Sequence, residues 1–86
     1  MTLEHDIGRG QRAARLLNDP MIAEAFDTVA ASLLAAWEAT ADGQERERER
    51  LWLMTKLLAR VRGYLAEAAD TGKIAQMQIE QEKRPN

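Results

Sequence analysis

Between the tripeptide Asn18-Asp19-Pro20 and Gly43, large apolar side chains fall at Ile22, Phe26, Val29, Leu33 and Trp37, at spacings of four, three, four and four. At about 100° per residue these positions occupy one narrow arc, the pattern of an amphipathic helix with a single side to bury. Glu24, Asp27, Ala31 and Glu38 fall on the opposite side, which gives the helix a wet face, and Leu34 lies between the two. The spacing predicts a helix over about 20–40.

Its boundaries are written in the flanking residues. Asn tolerates the left-handed conformation that ends a helix, Asp is a favoured N-cap, and Pro suits the first helical position, where its missing N–H is not needed. A first helix is therefore expected over about 3–17. On the far side, Asp42 with Glu45 three residues on resembles a capping box, with Gly43 in a tolerant first-turn position. A third helix is expected over about 43–70, ending at Asp70-Thr71-Gly72 with Gly72 as the left-handed residue after it. The polar stretch KIAQMQIEQEKRPN, residues 73–86, then reads as a short frayed helix and a tail. A single helical domain over 1–72 follows.

The third helix has more apolar surface than one neighbour can cover. Leu51, Met54, Leu58, Val61, Leu65 and Ala68 form one stripe, while Leu53, Leu57 and Tyr64 form a second about 90° away. So wide an apolar arc calls for two neighbours, supplied by the first helix or by another subunit. The first helix is weaker: Ile7, Gly10, Ala14 and Leu17 share a face, but Gly8 and Gly10 each cost about 1 kcal/mol relative to Ala. The small pair Gly10 and Ala14 would permit close approach of another helix. The expected fold is all-α, an antiparallel helical hairpin with a short N-terminal helix laid against it or swapped onto a neighbour, in an oligomeric helical bundle.

With 86 residues a single core is marginal and burial is often completed by a partner chain, so self-association is expected. The chain has no Cys, which removes disulfides and thiolate chemistry and suits a reducing compartment. The N-terminal MTLEHDIGRGQRA lacks the apolar segment of a signal peptide, and no run approaches the length of a membrane span. A cytoplasmic protein without membrane contact is the expectation.

Catalytic parts are few. The single His, His5, leaves a His-centred base or metal site without its other members, and no phosphate-binding glycine loop or metalloprotease or hydrolase motif occurs. No enzyme activity, no metal and no cofactor are expected. The alternating GQERERERLW, residues 43–52, offers Glu45, Glu47 and Glu49, but each has Arg neighbours and the stretch is electrically neutral. It reads as the solvated, self-paired opening of the third helix, with Glu45–Arg48, Arg46–Glu49 and Glu47–Arg50 as opposite charges at i, i+3, partly cancelled by the like charges Glu45–Glu49 and Arg46–Arg50 at i, i+4.

Charge is distributed unevenly although the net is only −2. Residues 21–43 carry Glu24, Asp27, Glu38 and Asp42 and no base, whereas residues 44–66 set Arg46, Arg48, Arg50, Lys56, Arg60 and Arg62 against three glutamates. Two helices so charged attract. The candidate anion-binding residues are Arg9, Arg12 and Arg15 on the first helix, because the guanidinium fork matches phosphate oxygens, and Lys56, Arg60 and Tyr64, at i, i+4, i+8 on the third. Ordinary pairing with acids competes with that role for the arginines, and core packing competes with it for Tyr64. Trp37 reads as a plug closing the inter-helix turn, whereas Trp52 could plug or present a binding surface. The net charge and the single GRGQR match argue against nucleic acid as partner.

Three motifs, R-G-x-R-A-x-x-L-L-N-D-P at Arg9 to Pro20, W-x-x-T at Trp37 to Thr40, and L-x-x-V-R-x-x-L-x-x-x-x-x-x-G-K at Leu58 to Lys73, together resemble those of small helical-hairpin proteins of tailed bacteriophages and prophages. The resemblance implies a phage-encoded protein of the host cytoplasm with one of two roles. One is a homo-oligomeric anti-defence protein that sequesters an immune-signalling cyclic nucleotide between subunits. The other is a virion-assembly accessory docking on capsid, portal or terminase. For the first, Arg9, Arg12, Arg15, Lys56 and Arg60 are the expected phosphate contacts, with Tyr64 or Trp52 as stacking surface.

Overall fold

The protein is described by a computed structural model covering residues 2–84; the last two positions of the expected tail lie outside the described residues. Three helices and no strand are formed among them: α1 (Leu3–Asn18), α2 (Pro20–Glu38) and α3 (Glu45–Lys83). The chain is all-α.

α1 starts at Thr2, whose extended backbone and hydroxyl oxygen cap the helix by accepting the His5 N–H at 3.1 Å. Glu4 and Asp6 in the first turn and Arg15 in the last complement the helix dipole. At its other end the expected left-handed Asn18 is not used, since no residue other than glycine has a positive φ among the described residues. Asp19 is extended instead, its N–H bonds back to Leu16 O, and Pro20 opens α2. Pro excludes the helical conformation from the residue before it, which suffices to separate the two helices.

The expected break at Asp70-Thr71-Gly72 does not occur. α3 runs unbroken through it for 39 residues, and positions 73–83, expected as a separate frayed helix, continue the same helix. Gly72 is helical and buried. The reason is tertiary: Ala68 and Ala69 before it pack on α1 and Gly72 itself meets Gly10, and that contact outweighs the roughly 1 kcal/mol helix penalty of one glycine.

The chain divides into two units, one formed by residues up to Asp19 with those from Gly63 onward, the other by Pro20–Arg62. In the first, α1 packs on the C-terminal part of α3 through very small side chains: Ala13, Ala68 and Ala69 form a buried cluster, with Ala14 and Leu65 against it. Gly10 and Gly72 meet backbone to backbone, so that a Cβ on Gly10 would come within 2.7 Å of Gly72 Cα. The close approach expected for Gly10 is present. Ala13, buried to 4% exposure, belongs to this face as well.

In the second unit, α2 faces the first part of α3, with Arg62 beside Phe26 and Asp27 and Arg48 over Trp37. Leu33 and Leu51 are buried there, with Ile22, Phe26 and Leu58 half-buried. The connection is a tight turn in which Gln44 N–H bonds to Ala41 O at 3.2 Å and Gly43 adopts φ +91°. A positive φ at the third residue of a turn calls for glycine. Gly43 thus belongs to the turn and not to the helix, and α3 starts two residues later than the spacing predicts. Gln44 Oε1 accepts the Ala41 N–H at 2.6 Å, a role assigned from sequence to the Asp42–Glu45 pair.

Candidate functional site

The seven candidate ligand-binding residues fall in both units. In the first, α1 and α3 bring Arg9 and Tyr64 together: Arg9 Nη2 donates to the phenol oxygen at 2.6 Å, and the guanidinium carbon lies 5.4 Å from the ring centroid. Tyr64 is 60% exposed, so the pair sits at the surface and does not serve as core. One cation and one π-surface are thereby held in register, the two elements with which proteins grip a phosphate-bearing aromatic ligand.

Arg12 and Arg15 follow Arg9 at helical spacing and are both exposed. Together with Leu16 and Asp19 they line a surface depression of about 280 Å³. Asp19 sets a carboxylate among the cations, which narrows what that depression accepts. A second hollow of about 220 Å³ lies beside the glycine crossing, lined by Ile7, Gln11, Ala14, Lys73 and Gln76 among others. Its polar groups are uncharged apart from Lys73.

In the second unit, Lys56 Nζ lies 5.4 Å from the centroid of the Trp52 ring, and Trp52 is 53% exposed. Arg60 is exposed and has no carboxylate partner among the described residues. Lys56 and Trp52 thus form a second cation–aromatic pair, with Arg60 one turn further along α3.

One arrangement went unread in the sequence. Arg48 lies over the Trp37 ring, 3.9 Å from its centroid, and its Nη1 donates to Thr40 Oγ1 at 2.8 Å. Thr40 Oγ1 in turn donates to Trp37 O at 2.7 Å, with Thr40 N–H on the same carbonyl at 3.2 Å. The C-terminal end of α2 is thereby closed by a side chain of α3, and Trp37, expected as a plug at that turn, is 37% exposed beneath Arg48. The sequence places Arg48 in a self-paired row. Of that row, Glu47 and Arg50 do pair, at 2.6 Å, and the hydrogen bond from Arg50 holds the Glu47 carboxyl below its ordinary value and raises the Arg50 guanidinium.

Among the described residues no cluster of His, Asp and Glu is arranged to hold a metal ion, and no helix is long and apolar enough to cross a membrane. No protein-family model matches the chain, and no curated protein or solved structure matches it.

Proposed function

We propose that this chain is a non-catalytic helical protein that works by association, its α2–α3 hairpin forming a homo-oligomeric bundle. The observation that carries this reading is the outward face of α3, where Leu53 and Leu57 of the second stripe are 53% and 63% exposed and Val61, expected in the first, joins them at 50%. Water contact at three successive large side chains on one face is the pattern of an interaction surface. Native mass spectrometry tests it: a defined multiple of the 9.7 kDa chain is expected, and a monomer at every concentration overturns the reading.

What the oligomer holds is a small anionic ligand carrying an aromatic group, of which a cyclic nucleotide of immune signalling is the leading example. The cation–aromatic pairs Arg9–Tyr64 and Lys56–Trp52 support this, as does the exposure of Arg12, Arg15 and Arg60. In this reading the protein is a phage-encoded sponge of the host cytoplasm. Calorimetry with a panel of cyclic di- and trinucleotides should give binding that Arg9→Ala and Tyr64→Ala each weaken at least tenfold. Absence of heat with the whole panel removes the ligand while leaving the oligomer.

A second reading is favoured by the same apolar face: a virion-assembly accessory that docks on capsid, portal or terminase. Recovery of the protein with assembled virions, and loss of that recovery on Leu57→Glu, is its test.

A further inference from the structure

The outward face of α3 in the second unit differs in charge from the helix beside it. Lys56 and Arg60 stand one turn along from Leu53 and Leu57, at the i, i+3 positions that share a helix surface. Neither has a carboxylate partner among the described residues; Lys56 rests on the Trp52 ring. The α3 face is therefore an apolar ridge, Leu53, Leu57 and Val61, with a basic edge.

α2 presents the complement. It contains no basic residue, and Glu24 and Glu38 are exposed and have no basic partner among the described residues. Asp27 meets Arg62 at 3.5 Å, so this helix already takes cations from α3 within one chain. Between the acids the exposed side chains are mostly small, with Ala31 and Ala35 beside Leu34, itself 57% exposed. A surface of alanines lets a neighbouring ridge of leucines come close, as small residues do wherever helices pack tightly.

We infer that the α3 face Leu53-Leu57-Val61 is covered by α2 of a second copy of this chain, with Lys56 and Arg60 lying between that copy's Glu24 and Glu38, which flank them along the helix. This rests on the homo-oligomeric reading above and names the surfaces that make it. Antiparallel pairing of α3 with α3 would oppose the two basic edges, and pairing α2 with α2 would oppose two acidic faces, so each costs repulsion that the mixed pairing avoids. Each copy carries both halves of the contact, and the association closes as a reciprocal pair or around a ring.

Charge exchange tests the pairing. K56E/R60E places acid against acid and E24K/E38K places base against base, so each variant alone is expected to lose the wild-type oligomer in native mass spectrometry at low ionic strength. An equimolar mixture restores the complementary contacts and is expected to assemble into oligomers containing both chains in alternation. All substituted positions are exposed, and retained helical circular dichroism confirms that each variant is folded. Variants that assemble alone like wild type, or a mixture that stays dissociated while wild type assembles, overturn this pairing and leave the oligomeric reading standing. Wild type that is monomeric throughout overturns both.

Discussion

Gly10 on α1 and Gly72 on α3 touch through their backbones, leaving 2.7 Å for a Cβ on the first and 2.9 Å for one on the second before the opposing Cα is reached. No flexible side chain can move aside, because the obstructing atoms are main chain. Gly10→Ala or Gly72→Ala is expected to push α1 away from α3 at an overpacking cost of about 1–3 kcal/mol, only partly offset by the roughly 1 kcal/mol that alanine adds to a helix. Thermal unfolding followed by circular dichroism, with hydrogen exchange over α1, measures it. A raised Tm for Gly10→Ala would show that the contact does not hold the helices.

Gly8 and Gly63 provide the contrast. A Cβ at either meets nothing within 4 Å, so alanine gains helix propensity without a clash. Each substitution should stabilise by about 0.5–1 kcal/mol, a Tm rise of several degrees in a chain of this size.

Gly43 is constrained by conformation and not by space, since it has φ +91° with nothing within 4 Å. Gly43→Ala is expected to cost about 1–2 kcal/mol, and Gly43→Asn less, because Asn tolerates the left-handed region better than other side chains. Urea unfolding midpoints of the two variants should rank in that order.

Arg48 closes the turn in two ways, by stacking on Trp37 and by donating to Thr40. Arg48→Ala should destabilise by about 1–2 kcal/mol, the sum of a cation–π contact and a hydrogen bond. Arg48→Lys should not restore it, because an ammonium lacks the planar fork that does both at once. Fluorescence of Trp37 in a Trp52→Phe background reports the loss directly.

The Glu47–Arg50 pair fixes one pH dependence. The Arg50 hydrogen bond depresses the Glu47 carboxyl, so the pair's contribution is present above the ordinary carboxylate value of 4.5 and is lost as pH falls through the lower folded value. Glu47→Gln should therefore differ from wild type at neutral pH and converge with it in acid. Side-chain NMR titration should place Glu47 below that ordinary value; a midpoint at or above it sinks the assignment.

Much of the fold was legible because it depends on local chemistry. The stripe Ile22, Phe26, Val29, Leu33 and Trp37 identified α2, although Val29 and Trp37 at its margins stay 46% and 37% exposed; Pro20 placed its start, and the doubled apolar pattern of α3 announced that one neighbour would leave Leu53 and Leu57 in water. Among the candidate site residues, Arg9 and Tyr64 were named separately, and nothing in the chain could show that they meet, since 55 residues separate them. Arg48 was hidden by its neighbours: within ERERER every arginine has a glutamate at i±3, and local pairing is indistinguishable from a reach across to Trp37.

The sequence by itself determined that the chain is helical, that Pro20 and the stretch after residue 40 interrupt it, and which side chains are apolar, because propensity, capping and periodicity act over a turn or two of backbone. Only the tertiary structure decided that α3 passes through Gly72 without a break and that Arg48 leaves its own row for Trp37. A glycine ends a helix when its backbone freedom is free to act, and continues one when a second backbone is packed against it. That second backbone belongs to Gly10, 62 positions earlier in the chain.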